Sequence, residues 1–169
     1  MGGATDRLDL AGLLLASGEG RRLQLHVHVD GARLAGQRYG IAGGRVPARL
    51  DVSRTMTGWS LRLRYEATLE GPCMRCLEPA GRTLEIDARE VDQPGGGEDL
   101  SSPYVEGGEL DLRAWAGDAL TLDLAGQVLC RRDCAGLCGV CGQNLTEHPH
   151  AHEPAIDPRW SKLSELGLP

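Results

Sequence analysis

Six cysteines and three late histidines are the residues whose types and spacing could do chemistry. Cys73 and Cys76 stand in GPCMRCLEP, while Cys130, Cys134, Cys138 and Cys141 precede His148, His150 and His152 in CRRDCAGLCGVCGQNLTEHPHAHEP. Zinc takes four thiolate or imidazole ligands in a tetrahedron, and a C-x-x-C turn brings two sulfurs to one ion. The sequence holds two such turns, and Gly142 after the second suits a tight knuckle. A dithiol redox couple uses the same spacing. Its motif, however, belongs between a strand and a helix of a βαβ unit, whereas Cys73 follows an alternating strand of antiparallel type.

Eight ligands are enough for one or two zinc ions. The preferred division is Cys73, Cys76, Cys130 and Cys134 for one site, and Cys138, Cys141, His150 and His152 for the other. The competing division joins Cys130, Cys134, Cys138 and Cys141 and leaves Cys73 and Cys76 free; spacing leaves both open. His148 is the spare ligand. Every set is closed at four, which describes structural metal rather than a Lewis acid with a place for substrate. The sequence has no nucleophile elbow, Walker loop or HExxH pattern, and Gly95 to Gly97 lack the Lys and helix of a phosphate loop. A non-catalytic protein is therefore expected, the alternative being a cytoplasmic thiol enzyme or dithiol redox protein.

The elements that must position these ligands are mostly strands. Leu23, Leu25, Val27 and Val29 alternate with polar residues, as do Val46 to Val52 and Trp59 to Leu69, and a fourth strand covers about Thr83 to Val91. Short connections favour antiparallel pairing. His26 and His28 fall on the solvent face of the first strand and read as exposed strand residues. Leu10, Leu13 and Leu14 predict a short helix ending near Gly18. Asp111 predicts the cap of a second helix from about Leu112 to Leu124, with Leu112, Trp115, Ala119 and Leu122 on its covered stripe. The stretch DQPGGGEDLSSPYVEGG reads as a loop. The fold class is thus α+β: a mainly antiparallel β-sheet covered by one or two helices, with a zinc-ordered Cys/His-rich C-terminal segment. Residues 1–129 form the β part and residues 130–169 a tail packed on it, one domain overall.

The 169 residues are 41% hydrophobic and 4% aromatic with no Phe, so Leu, Val and Ala must fill the core. The run Leu13 to Ala16 is far short of the roughly 20 residues a spanning helix needs. Asp6 and Asp9 sit where a secretory leader carries positive charge, so a cytoplasmic protein with reduced thiols is expected. Net charge is −6, but residues 90–124 hold nine acids against Arg113 alone, a balance of −8 that leaves +2 elsewhere. Of 18 basic residues 17 are Arg, a bias that a high-GC genome also produces.

The combination of LDLAGLLLASGEGRRLQL, CMRCLEP, LCRRDCAGLCGVCGQNL and DPRWSKLSEL resembles the YceD family of large-subunit ribosomal RNA accumulation proteins. The likeness is specific at Cys73, Arg75, Cys76 and Leu77, from Cys130 through Leu145, and at Asp157, Pro158, Arg159 and Leu163. Residues 33–71 match only in strand character. Many members carry C-x-C where this chain has His150-Ala151-His152, an exchange that keeps a tetrahedral zinc set. The family is associated with large-subunit rRNA accumulation in bacteria and plastids. The resemblance therefore implies a ribosome-assembly factor, with large-subunit rRNA or a large-subunit ribosomal protein in precursor particles as partner, and neither a membrane nor a small-molecule substrate. Arg62, Arg64, Arg75, Arg131 and Arg132 are the expected RNA-facing set near the first metal site. The acidic stretch suggests instead a basic ribosomal protein.

Overall fold

The computed structural model describes residues 6–96, 100–124 and 126–152. Gly97, Glu98, Asp99, Asp157, Pro158, Arg159 and Leu163 lie outside the described residues. In chain order the strands are β1 (Arg7–Asp9), β2 (Gly20–His28), β3 (Ala32–Leu34), β4 (Gln37–Ile41), β5 (Arg45–Arg54), β6 (Trp59–Pro72), β7 (Pro79–Asp92), β8 (Val105–Glu106) and β9 (Glu109–Asp111). Helix α1 (Leu112–Asp123) follows them. No helix among the described residues is long and apolar enough to cross a membrane.

The main sheet runs β2-β5-β6-β7, antiparallel throughout, as the short connections predict. Its spine is the β6–β7 hairpin, paired continuously from Trp59↔Asp92 to Pro72↔Pro79. Strand β5 pairs with β6 from Trp59 to Tyr65, and β4 pairs with the same edge at Leu69 and Glu70. The β3–β4 hairpin is an addition to the strands predicted. Its two-residue turn puts Ala35 at φ 48° and Gly36 at φ 82°. Both central residues of such a turn must be left-handed, and Ala-Gly lacks the Asn-Gly signal that marks it in a sequence. A second, small sheet has the order β1-β9-β8.

The predicted N-terminal helix is not formed. Residues Arg7–Asp9 pair as a strand with β9, and only a single 3-10 turn, Ala11–Leu13, follows. The Asp9 carboxylate accepts from Gly12 N (3.0 Å), and Leu14 at φ 51° ends the turn. Local leucine spacing here loses to strand pairing. Helix α1 matches expectation more closely, because the Asp111 side chain accepts from Ala114 N (2.9 Å) and caps its first turn. Leu112, Trp115, Ala116, Ala119 and Leu120 form the buried face, whereas Leu122, placed on the stripe from sequence, is 84% exposed. Leu120 takes its place because, at about 100° per residue, it lies about 60° from the centre of the face set by Leu112 and Ala116, against about 100° for Leu122.

The helix lies on the inner face of the sheet, where Tyr65 Oη donates to Ala116 O (2.6 Å). Between them Val27, Leu50, Val52, Leu61, Leu63 and Leu69 are fully or almost fully buried. Without Phe, the larger gaps are filled by Tyr39, Tyr65, Trp59 and Trp115. Tyr39 also bears on the site. Its hydroxyl donates to Pro72 O (2.8 Å) at the tip of the long hairpin. A Cβ at Gly71 would lie 2.4 Å from its ring, so only glycine fits beneath it.

The outer face carries charge in pairs. Arg22 Nε donates to Asp51 (2.7 Å), Arg64 pairs with the same carboxylate, and Arg62 makes a two-pronged contact with Asp87 (2.7 and 2.5 Å). The hydrogen bond from Arg22 outweighs partial burial and, with Arg64, holds the Asp51 carboxyl at about 2, against an ordinary 3.8. Because the folded group titrates below the unfolded one, its stabilisation is complete above the unfolded value and is lost as pH falls from about 4 to about 2. Asp51→Asn should therefore lower stability by about 1 kcal/mol at pH 7. Urea titrations from pH 7 to pH 2 should show the two proteins converging at the acid end; a constant gap would show that the carboxylate charge is not responsible.

Candidate metal centre

The tip of the β6–β7 hairpin is the turn from Cys73 to Glu78, closed by Cys73 N to Glu78 O (2.7 Å) and Leu77 N to Cys73 O (3.0 Å). Arg75 N points at Cys73 Sγ (3.5 Å). The second C-x-x-C repeats this geometry: Gly142 N bonds Cys138 O (2.9 Å), and Val140 N points at Cys138 Sγ (3.4 Å). Both turns end on a left-handed residue. That residue is Gly142 at φ 74° in one and Leu77 at φ 65° in the other. Leucine pays about 1–2 kcal/mol for that conformation, so the first knuckle is held by its surroundings rather than by local preference.

Those surroundings are the tail. Met74 N bonds Val128 O (2.9 Å), Leu137 N bonds Arg75 O (3.1 Å), and the Arg75 guanidinium donates to Cys134 O (2.9 Å). As a result Cys73, Cys76, Cys130 and Cys134 converge, with all ligand atoms within 4.8 Å of one another. Cys73 and Cys134 sulfurs are 3.8 Å apart, and those of Cys76 and Cys130 3.6 Å. A disulfide needs about 2.05 Å, whereas four thiolates at about 2.3 Å from one zinc stand about 3.8 Å apart. The spacing fits the ion. Cys73, Cys76 and Cys134 are buried against Ala80 and Leu129, and Cys130 is exposed.

The second cluster is Cys138, Cys141, His150 and His152, again within 4.8 Å. Only Cys138 of the four is buried. A Leu137–Asn144 bridge and the bond from Cys138 N to Gln143 O (2.8 Å) fold the knuckle back on itself. His150 Nδ1 donates to His148 O (2.7 Å), since a carbonyl can only accept. This fixes the tautomer and leaves Nε2 facing Cys141 Sγ at 3.1 Å, the arrangement expected of an imidazole ready to ligate. His148 contributes its backbone and stays outside the set.

Charge explains why such clusters call for a cation. Burial pushes the Cys73 thiol up, but backbone N–H groups of Cys130, Cys76 and Arg75 more than offset it and hold the thiol at about 6. Glu78 N–H favours the Cys76 thiolate, yet burial and the sulfurs of Cys73, Cys130 and Cys134 push that thiol up to about 12. One negative charge is welcome at the tip, and a second is opposed unless a cation sits between them. In the other cluster the backbone N–H groups of Cys141 and Val140 hold Cys138 at about 6. His150 is raised by the His148 carbonyl and then by Cys138.

The two groups that the structure brings together are those of the preferred division, while the cysteines of the competing four-cysteine set are split between them. The expected arginine set is corrected in part. Arg62 and Arg64 sit on the outer face of β6, paired with Asp87 and Asp51, and the nine residues from Arg64 to Cys73 span about 30 Å of strand. Arg82 was missed, and lies beside Arg131 and Arg132. A signal existed: its parity with Leu84 and Ile86 puts a cation on the covered side of β7.

The model of the family described as "Large ribosomal RNA subunit accumulation protein YceD" matches residues 61–167, from β6 through both clusters. Uncharacterized proteins of Mycobacterium bovis and Mycobacterium tuberculosis are 38% identical over 103 residues, covering 57% of this chain and 49% of each relative. One of Mycobacterium leprae is 40% identical over 104 residues, covering 57% and 48%. The chain thus spans about half the length of the curated relatives it matches. No solved structure matches it.

The difference in exposure generates an order of metal loss. A chelator added to metal-loaded protein should empty the exposed Cys138 cluster first and the buried Cys73 cluster later, seen as two phases of release to a colorimetric indicator. Cys138→Ser should abolish the fast phase alone; a single phase of unchanged size in that variant would refute the assignment.

Proposed function

The chain belongs to the family of large ribosomal RNA subunit accumulation proteins, and on that premise we propose that it is a non-catalytic, zinc-bound cytoplasmic factor supporting large-subunit rRNA accumulation during ribosome assembly. The observation that carries this reading is the closure of both clusters. Each gathers four ligand atoms, so a tetrahedral zinc would have no open position for water or substrate, and its work would be to hold the tail on the hairpin.

The low value at Cys73 favours, taken alone, a reactive thiol. That sulfur is fully buried, however, and has three other cysteines for neighbours, which suits a ligand better than a nucleophile. Between the two partners, RNA is the better supported. Of the seven acids of the stretch among the described residues, four are held within the protein: Asp92 accepts from Ser102 N (3.2 Å), Glu109 pairs with Arg7 (2.8 Å), Asp111 caps α1 and Asp118 accepts from Tyr104 Oη (3.1 Å). That takes up part of the charge with which the stretch would grip a basic ribosomal protein.

Purified protein never exposed to chelator should contain two zinc ions per chain by elemental analysis, and the Cys73→Ser/Cys76→Ser double variant one. Less than half an ion in the parent protein would end the zinc reading. Cells lacking the protein should show a lower ratio of large- to small-subunit rRNA, restored by the parent gene and less well by the double variant; an unchanged ratio would refute the assembly role.

A further inference from the structure

We propose that Arg82, Arg131 and Arg132 form a binding groove for the phosphate backbone of a single RNA strand, a site that rests on the assignment of RNA as partner. The three arginines line one cavity of about 520 Å³ together with Gly81, Thr83 and Gln127, and no acidic residue lines it. Asp133, next in the chain, is not among the lining residues.

Pairing separates these arginines from those at the centre of the outer sheet face, and convergence on one cavity without an acidic lining residue separates them from Arg33 and Arg38, which share theirs with Asp30. On the sheet face Arg22, Arg49, Arg62 and Arg64 each have a carboxylate partner. A guanidinium so neutralised has little left for a phosphate. Arg82, Arg131 and Arg132 have no ion pair among the described residues; Arg82 makes one long contact from Nη1 to Gln127 O (3.4 Å), which steadies it at the cavity and leaves its other N–H groups available. Three unneutralised guanidiniums, each able to take a phosphate oxygen pair, make a positive strip. Three guanidiniums brought together from two separate segments offer successive phosphates a partner each, which suits a strand better than one small anion.

The backbone keeps the strip in place. Arg131 and Arg132 occupy the loop between Cys130 and Cys134, whose sulfurs are anchored in the first cluster, and Cys134 N bonds Arg131 O (3.2 Å). Arg82 reaches the same cavity from β7, where Leu69↔Arg82 pairing fixes its register. The groove therefore lies where the tail crosses the sheet, and it exists only when the two are docked.

The test uses the full chain and a fluorescently labelled, mixed-sequence single-stranded RNA of about 15 nucleotides, within the range such grooves span, with binding followed by anisotropy across salt concentrations. Converting all three arginines to Gln should weaken binding at least tenfold at 0.1 M salt and reduce the slope of log affinity against log salt by about 2. The corresponding Lys variant should keep the slope, and Arg62→Gln should bind like the parent. Arg82→Gln, which is remote in sequence from every cysteine of the tail, should retain its zinc and still bind more weakly. Parent-like binding by Arg82→Gln or by the triple Gln variant would overturn the groove while leaving RNA as the partner. Failure of the parent protein to bind RNA at low salt would overturn both. Complete displacement of RNA by about 1 mM inorganic phosphate would also overturn the polynucleotide assignment, since the strip would then serve a small anion.

Discussion

Four sulfur atoms held within 4.8 Å of one another at the end of a long hairpin are the constraint on which the rest of this structure turns. Two of them come from the β6–β7 turn and two from a segment that begins after α1, so their convergence closes the chain over the inner face of the sheet. The backbone prepares the site for one negative charge, while burial and the neighbouring sulfurs oppose the next. A divalent ion at the centre would resolve that conflict and convert a repulsive cluster into a link between sheet and tail. Leu77 fits the same logic. A leucine at φ 65° on an exposed turn is costly locally, and it is held by the tail contacts of Met74 and Arg75 before it and by the Cys73 N to Glu78 O bond that spans it.

The two clusters divide the mechanical work. The first is built into the fold, with three of its four cysteines buried among apolar atoms. The second is formed within a short stretch of tail and stands at the surface, so it governs the shape of that stretch and little else. The His150–His148 hydrogen bond shows how such a local site is prepared without a hydrophobic core: backbone carbonyl, ring tautomer and ligand atom are set within three residues. Imidazole in place of thiolate at positions 150 and 152 also lowers the negative charge that the exposed site must hold.

Much of this was legible in the sequence, for identifiable reasons. Period-two alternation located β2, β5, β6 and β7 because each has one face in the core and one in solvent. The Asp111 cap is a local interaction and could be read locally. The N-terminal leucines misled because Leu8 and Leu10 are claimed by pairing with β9 and by the core, contacts about a hundred residues away in sequence. The β3–β4 hairpin escaped because its turn uses Ala35-Gly36. For the metal ligands, residue type and spacing named the candidates, yet two partitions fitted equally well. Only the docking of the tail beside Cys73 separates them, and docking is a tertiary fact.

The distribution of arginine follows from the same architecture. On a two-layer fold the outer sheet face must be polar, and this chain fills it with cross-strand pairs, Arg64 to Asp51 and Arg62 to Asp87, which stabilise the sheet while cancelling its field. Charge placed there is structural. Where the tail crosses the inner edge of β7 there is no opposing strand to supply carboxylates, so Arg82, Arg131 and Arg132 meet without neutralisation. Three like charges together oppose docking of the tail, and the hydrogen bonds of Met74, Arg75 and Leu137 beside the sulfur cluster hold it down. An anion bound at the arginines would relieve that repulsion and a metal ion at the sulfurs would hold the same junction together, so each would reinforce the other.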